Sequence, residues 1–208
     1  MLGTNPIAFC APTDMDYPFL FDAATSITQR GKIEVLDRAG KDTPREWAID
    51  EKGEPHTNTK QLLRDLLDKK AAMVPLGGRK EQTGGHKGYS LAVIVEILSS
   101  ALQNGNYMHQ LSGWNGDKRV PYRLGHCFVV IDIESFTDIN SFKEITGSIL
   151  RELKDSELSP DQEHIYVAGE KEYLNRKRVK DEGVPINKSL REDLITMRDE
   201  LGIEGFDF

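Results

Sequence analysis

The sequence is poor in cysteine, carries no excess of positive charge and has no long apolar run. Its two cysteines, Cys10 and Cys127, lie far apart in short apolar stretches, a pattern that indicates two small buried side chains and no disulfide framework. Acidic residues outnumber basic ones by 34 to 27, and this net charge of −7 argues against nucleic acid as a partner. No apolar stretch approaches the roughly 20 residues that span a bilayer, and no basic signal region opens the chain. We therefore expect a soluble, cytoplasmic protein that acts on small molecules.

Standard motifs for binding phosphates and metals are also missing. The sequence contains neither G-x-x-x-x-G-K-[ST] nor G-x-G-x-x-G after a strand. The five histidines, at positions 56, 86, 109, 126 and 164, form no i, i+4 pair and no H-E-x-x-H motif. We therefore assign no metal site.

The apolar pattern predicts a mixture of helices and strands. Strands are expected over residues 7–11, 18–22, 31–37, 47–49, 127–133 and 164–168, and helices over 57–70, 89–104, 139–153, 171–182 and 188–201. Residues 127–133, CFVVIDI, predict a central strand, and the helix over 89–104 is apolar on two faces, which predicts burial on most sides. Asn187 or Ser189 is the expected N-cap of the last helix. Because strands and helices do not alternate strictly, we expect a mixed or antiparallel α/β domain.

A glycine-rich stretch before the helix over 89–104 is the strongest candidate site. Four glycines at 77, 78, 84 and 85, together with Gly88, surround Lys87 at the predicted helix start. A cation there interacts unfavourably with the partial positive charge at the helix start, and a bound anion such as a phosphate would offset this repulsion. The alternative is a surface loop whose Lys87 points into water. The spacing alone does not favour the phosphate site over that loop.

The stretch FDAATSITQRGKIEV, residues 21–35, is the second candidate. Asp22 stands at a strand end before small residues, where its carboxylate could accept hydrogen bonds from the hydroxyl groups of a sugar. The alternative is an ordinary turn between two strands, capped by Asp22. The residues alone favour that turn.

Several stretches, taken together and in order, resemble the type-2 malate/L-lactate dehydrogenases, a family that also includes ureidoglycolate, sulfolactate and diketogulonate reductases. The matching stretches are GTNPIAF (3–9), FDAATSITQRGKIEV (21–35), WAIDEKGEPHTN (47–58), VPLGG (74–78), HKGYSLAVIVEILSSAL (86–102), GHCFVVIDIESF (125–136), AGEKE (168–172) and EGVPI (182–186). The resemblance implies a non-Rossmann fold, built on a mostly antiparallel sheet with flanking helices, that binds NAD or NADP, with NAD favoured. We place the dinucleotide-binding domain at residues 1–160 and a C-terminal helical segment at 161–208.

The resemblance also implies which residues touch the ligands of a dehydrogenase. Asp22, Ala23, Ala24, Lys87, Gly169, Glu170 and Lys171 are expected to contact the cofactor. Thr4, Arg30 and Gly31 are expected to lie against a small 2-oxo or 2-hydroxy acid. The implied reaction moves a hydride between the nicotinamide and this acid. Lys87 then acts as a cation beside a phosphate or ribose of the cofactor.

The sequence departs from the family in three places. The loop RKEQTGG before His86 is longer than in many members, and Lys32 stands where some relatives carry an Asp that relays protons. The third departure is a missing segment. Relatives carry, before Gly-Thr-Asn-Pro, a catalytic His followed by Gly and then Arg, and no stretch of this sequence matches it. We assign no catalytic residue.

The opening turn, Gly3-Thr4-Asn5-Pro6, leads us to expect that Met1 cuts through a fold. The catalytic segment would then come from a complementing N-terminal polypeptide, and apolar side chains of residues 7–21 would lie exposed beside the cut. The chain would then be a C-terminal fragment, one half of a split gene or one piece of a nicked enzyme, and we expect a homodimer, a complex with the complementing polypeptide, or both. The alternative function is a catalytically silent nucleotide-binding or interaction module.

Overall fold

A computed structural model describes residues 2–206, and Met1, where the expected cut falls, lies outside them. Over this range the chain forms six α-helices and six short strands. The helices are α1 (Arg30–Arg38), α2 (Thr59–Leu67), α3 (Gly85–Ser100), α4 (Ile139–Lys154), α5 (Glu170–Glu182) and α6 (Lys188–Leu201). The strands are β1 (Ile7–Ala11), β2 (Phe19–Ala23), β3 (Ala48–Asp50), β4 (Ala71–Met73), β5 (Trp114–Asn115) and β6 (Lys118–Arg119).

The strands pair antiparallel as β1–β2, β3–β4 and β5–β6, in three separate two-stranded sheets. The expected mixed α/β class is therefore confirmed, but the part of the chain described here contains no single large sheet. The non-Rossmann character of the fold stays a prediction, as does the division at residue 160. Hydrogen bonds cross that division, from Leu20 N to Ala168 O and from Lys154 Nζ to Glu170 Oε1.

The core lies where α1 and α2 pack on the β3–β4 sheet. Ile33, Ala48 and Leu62 are fully buried there, with Trp47 and Met73 packed against them. The strand predicted over 31–37 is wrong, because these residues form α1. Ile33 is buried while Val35 is 59% exposed, so the buried face follows a helical period and not the apparent alternation.

Side-chain caps fix three of the remaining helices near their predicted positions. Asn58, Asp138 and Asn187 accept hydrogen bonds from Gln61 N, Ser141 N and Leu190 N at the starts of α2, α4 and α6. Asn187, and not Ser189, is therefore the cap of the last helix.

Four expectations about strands and burial are wrong. Residues 127–133 and 164–168 form no strand within residues 2–206, and both cysteines are exposed. The fourth concerns α3, whose apolar side chains are largely exposed, as Ile94 at 49% and Ile97 at 54% show. A strand needs a neighbour to pair with, and an apolar helix needs a layer to cover it.

Apolar exposure beside the opening turn follows the expectation. Phe9 is 54% exposed and Phe21 is 38% exposed, whereas Ile7 and Phe19 are half-buried. The Asn5 side chain fixes the turn itself, because its Nδ2 donates to Ala92 O and Glu96 Oε2, both at 2.8 Å, and so ties the turn to α3. Among the residues described, no helix has both the length and the apolar character needed to cross a membrane.

Candidate functional site

A cavity of about 400 Å³ lies between β2 and the start of α5. Its walls are formed by Leu20, Phe21, Asp22, Tyr166, Val167, Ala168, Gly169, Lys171 and Glu172. It therefore brings together three residues that the sequence placed at a cofactor, Asp22, Gly169 and Lys171. A carboxylate, an ammonium group and an aromatic ring face one space, and this donor set suits a ribose, a phosphate and a base or sugar face.

The loop before α5 packs directly on β2. Leu20 N donates to Ala168 O at 3.1 Å, and Gly169 caps α5 with a φ of 93°, in the left-handed region that favours glycine. A Cβ on Gly169 would also lie 3.1 Å from Leu20 Cβ and from Pro18 O. Glycine is thus required here both by backbone conformation and by the close approach of β2.

The side chain of Lys171 lies over an aromatic ring that the sequence reasoning missed. Its Nζ is 4.5 Å from the centroid of Tyr166, whose ring also contacts His164 at 4.3 Å. Tyr166 lies in HIYVAGEKE, just before the matched glycine, and its position next to that motif was the only available signal. This contact holds the ammonium group at the wall of the cavity.

Glu170 points its carboxylate into the protein and not into the cavity. The residue is 4% exposed, and its Oε1 lies 2.6 Å from Lys154 Nζ and 3.3 Å from His164 Nε2. Its Oε2 accepts a hydrogen bond from Val167 N at 3.2 Å. Burial alone would raise the pKa of Glu170, but the hydrogen bonds from Lys154, Val167 and His164 outweigh it and lower this pKa below the ordinary value.

Lys154 completes this buried pair from α4. Its hydrogen bond to Glu170 raises the pKa of Lys154, and a second contact joins its Nζ to the hydroxyl of Tyr17 at 3.3 Å. Nothing in the sequence pattern pointed to Lys154. The pair fixes the backbone of the loop that forms one wall of the cavity.

The glycine-rich stretch forms a second, separate region at the start of α3. Side chains on Gly85 and Gly88 would collide with the carbonyl oxygens of Gly78 and Leu76, so the loop packs backbone against backbone. Lys87 stands exposed in the first turn and makes no ion pair within residues 2–206. A cavity of about 570 Å³ lies beside it, lined by His86, Tyr89 and Arg79 among others, but Lys87 lines neither cavity.

The remaining predicted residues lie outside the cavity of Asp22. Ala23 and Ala24 follow Asp22 without lining it, and Thr4 accepts hydrogen bonds at its carbonyl from Thr25. At the start of α1, Arg30 pairs with Glu34 at 2.8 Å. Gly31 in the same turn has open space around it.

None of the five histidines lines the cavity of Asp22 and Lys171. His56 contacts Asp65 at 2.8 Å, and this hydrogen bond, with a second from Gln61, lowers the pKa of Asp65. His164 is engaged with Glu170, and His86 lines the other cavity. The cavity therefore presents a carboxylate and an ammonium group, while His164 lies against the ring of Tyr166 and does not line the cavity itself.

Comparison with known proteins connects this arrangement to a set of enzymes. The profile described as malate/L-lactate dehydrogenase matches residues 1–195. Malate dehydrogenase from Pyrococcus horikoshii is 39% identical over 205 residues, which cover 99% of this chain and 54% of that protein. Malate/(S)-sulfolactate dehydrogenase from Methanothermus fervidus is 30% identical over 204 residues, which cover 98% of this chain and 54% of that protein.

A solved structure gives the same result for the fold. Malate dehydrogenase from Entamoeba histolytica superposes with a TM-score of 0.89 at 35% identity, covering 99% of this chain and 56% of that one. The chain belongs to the malate/L-lactate dehydrogenase family, which confirms the resemblance seen in the motifs. It spans about half the length of the curated relatives it matches, and it corresponds to their C-terminal portion.

Proposed function

We propose that this chain is the dinucleotide-binding portion of an NAD(P)-dependent dehydrogenase that acts on a small 2-oxo or 2-hydroxy acid of the malate/L-lactate class. The observation that carries the proposal is the cavity shared by Asp22 and Lys171, two residues distant in sequence that family resemblance had assigned to one cofactor. Membership of the family supports the reaction type. When bound, the nicotinamide supplies or accepts the hydride.

Each proposed cofactor residue has a physical role. The Asp22 carboxylate accepts hydrogen bonds from ribose hydroxyls, Lys171 neutralises a phosphate, and Gly169 lets the cofactor approach the start of α5. Ala23 and Ala24 leave the backbone accessible. The buried Glu170 fixes the loop that forms one wall of the cavity, through its contacts with Lys154 and Val167 N. Because Asp22 and Glu172 both carry negative charge at the cavity, a 2′-phosphate would be repelled, which favours NAD over NADP.

The substrate and the proton donor are proposed to lie outside this cavity. Thr4 and Arg30, with Gly31 beside them, hold the carboxylate of the 2-oxo acid, and Arg30 would exchange its exposed partner Glu34 for that carboxylate. The general acid that protonates the developing alkoxide comes from a complementing polypeptide, because none of the five histidines here is followed by Gly and then by Arg, the context expected of the catalytic His. A homodimer remains compatible with this proposal.

The second candidate is a catalytically silent nucleotide-binding or interaction module. It is favoured by the same absence of a histidine in the expected catalytic context. The two functions share the cofactor site and differ only in whether an added polypeptide produces turnover.

The proposal extends the bound cofactor beyond the cavity of Asp22 and Lys171 to Lys87 at the start of α3. Lys87→Ala should then weaken the binding of NADH by about 1.5–3 kcal/mol, the range for a hydrogen bond to a charged group. The free energy of unfolding of this variant should change little, because a cation in the first turn of α3 gains no stabilisation from the helix dipole. Isothermal titration calorimetry on the 208-residue chain measures the loss. Lys60→Ala, an exposed lysine in the first turn of α2, is the matched control and should bind NADH normally. Equal affinity of both variants would make the glycine-rich stretch a structural loop.

A further inference from the structure

The ammonium group of Lys171 lies over an aromatic ring, although carboxylates line the same cavity. Its Nζ is 4.5 Å from the centroid of the Tyr166 ring. Asp22 and Glu172 share the cavity with it, yet within residues 2–206 Lys171 makes no hydrogen bond or ion pair with either. The positive charge at this wall is therefore held by a neutral ring and is not compensated by a carboxylate.

A ring face holds a cation without neutralising it. The quadrupole of the aromatic ring attracts the ammonium group but adds no net negative charge. A carboxylate in the same place would form a charge-assisted hydrogen bond, which an incoming phosphate would have to break. The contact with Tyr166 therefore leaves the full charge of Lys171 available to an anion that enters the cavity.

The ring of Tyr166 is itself fixed from the side of the buried ion pair. His164 contacts it with a centroid distance of 4.3 Å and an interplanar angle of 56°. His164 Nε2 lies 3.3 Å from Glu170 Oε1, which also contacts Lys154 Nζ at 2.6 Å. Side-chain contacts thus run without a break from Lys154 on α4 to Lys171 at the cavity.

This fixation matters because lysine has a long and mobile side chain. A lysine that is free in water loses much rotamer entropy when it binds a ligand. Lys171 is exposed, and without the ring its ammonium group would be shared between water and the carboxylates of Asp22 and Glu172. The contact with Tyr166 restricts the ammonium group before a ligand arrives, so less entropy is lost on binding.

We propose that Tyr166 is a positioning residue of the cofactor cavity, which holds the ammonium group of Lys171 away from the carboxylates and ready for a phosphate of the dinucleotide. This rests on the proposed function for the identity of the ligand. Because Tyr166 acts through Lys171, its effect on binding requires that lysine. A ring that stacked directly on the base or the sugar of the cofactor would act with or without Lys171.

A cycle of single and double variants of the 208-residue chain, with NADH as the probe, tests this dependence. Tyr166→Leu should weaken NADH binding by about fivefold, the size expected for an exposed cation–π contact. Lys171→Met removes the ammonium group and keeps an unbranched side chain. In the Lys171→Met background, Tyr166→Leu should change the affinity by less than about twofold. Isothermal titration calorimetry measures the four dissociation constants.

Two further variants separate the ring from the rest of the side chain. Tyr166→Phe keeps the ring and removes the hydroxyl group, so it should bind NADH as the unmodified chain does. Tyr107→Leu is the matched control, because Tyr107 is also 47% exposed and lines neither cavity. Its affinity for NADH should not change.

Nuclear magnetic resonance reports on the contact without any ligand. The ring current of Tyr166 should shift the Cε proton signals of Lys171 upfield, because the ammonium group lies over the ring face. The shift should persist in Tyr166→Phe and disappear in Tyr166→Leu. An unshifted Lys171 signal in the unmodified chain would contradict the proposed positioning.

The calorimetric results can also overturn the proposal. Equal losses in both Lys171 backgrounds would assign Tyr166 a direct contact with the cofactor or a packing role. A Tyr166→Phe variant that binds as weakly as Tyr166→Leu would place the effect in the hydroxyl group. Unchanged affinity of Tyr166→Leu would remove the role altogether. A chain that binds no NADH would contradict the cofactor cavity itself, whereas binding with independent losses would contradict the role of Tyr166 alone.

Discussion

Purified as 208 residues, the chain should not oxidise NADH with oxaloacetate or pyruvate at a measurable rate, even if it binds NADH. Hydride transfer needs a positioned nicotinamide, a clamped 2-oxo acid and a proton donor within about 3.2 Å of the carbonyl oxygen. Loss of a general acid alone typically costs about 10²–10⁴-fold in rate. None of the five histidines is followed by Gly and then by Arg, the context expected of the catalytic His, and His56 and His164 are engaged with carboxylates. The decrease in NADH absorbance at saturating substrate measures this activity.

Adding the N-terminal portion of the Pyrococcus horikoshii enzyme should restore turnover if the chain is the cofactor-binding portion of a dehydrogenase. Restoration would also separate that function from a silent module, which would bind without turning over. Substantial activity by the chain alone, with its mass verified, would contradict the prediction. One of His86, His109 or His126 would then have to be the acid, and alanine variants of the three would identify which.

Sequence reasoning succeeded where the determinants are local. The helices expected over 57–70, 139–153 and 188–201 form as α2, α4 and α6, each capped by a side chain next to its start, and Asn187 was one of the two caps expected for the last. Sequence reasoning failed where contacts with residues distant in the sequence decide the secondary structure. Residues 31–37 alternate like a strand, yet burial of Ile33 against Leu62 favours a helix. Residues 127–131 have the composition of an interior strand, but no composition can supply the neighbour that makes one.

The expectations for the site residues also agree with the structure in part. Motif resemblance pointed to Asp22, Gly169 and Lys171, and the structure brings these three to one cavity, although their contact with a cofactor stays a prediction. It also pointed to Glu170, whose carboxylate instead lies inside the protein on Lys154. That pair joins α4 to the start of α5, and a contact between two surface-like charged residues leaves no periodic trace in the sequence.

The largest effect on stability should come from Lys154→Met. Breaking one side of a buried ion pair typically costs 3–5 kcal/mol, because the remaining charge is left without compensation. Here Glu170 keeps His164 and Val167 N as partners, and the Lys154 side chain is 21% exposed, so we expect about 3 kcal/mol at neutral pH. Urea denaturation measures the free energy of unfolding. Arg178→Met removes an exposed i, i+4 pair with Glu182 and should change it by less than about 0.5 kcal/mol.

The pH dependence distinguishes an uncompensated charge from a simple loss of packing. In the unmodified chain the folded-state pKa of Glu170 lies below its ordinary value of 4.5, so its contribution is complete above that pH and is lost as the pH falls through the folded pKa. Without Lys154, burial should raise the pKa of Glu170 above the ordinary value, and protonation should then relieve the penalty. The destabilisation of Lys154→Met should therefore be largest near neutral pH and shrink as the solution is acidified towards pH 4.5. Adding Glu170→Gln to this variant should recover stability at pH 7, because the buried charge is removed. A loss that is the same at both pH values, with no recovery in the double variant, would assign Lys154 a packing role only.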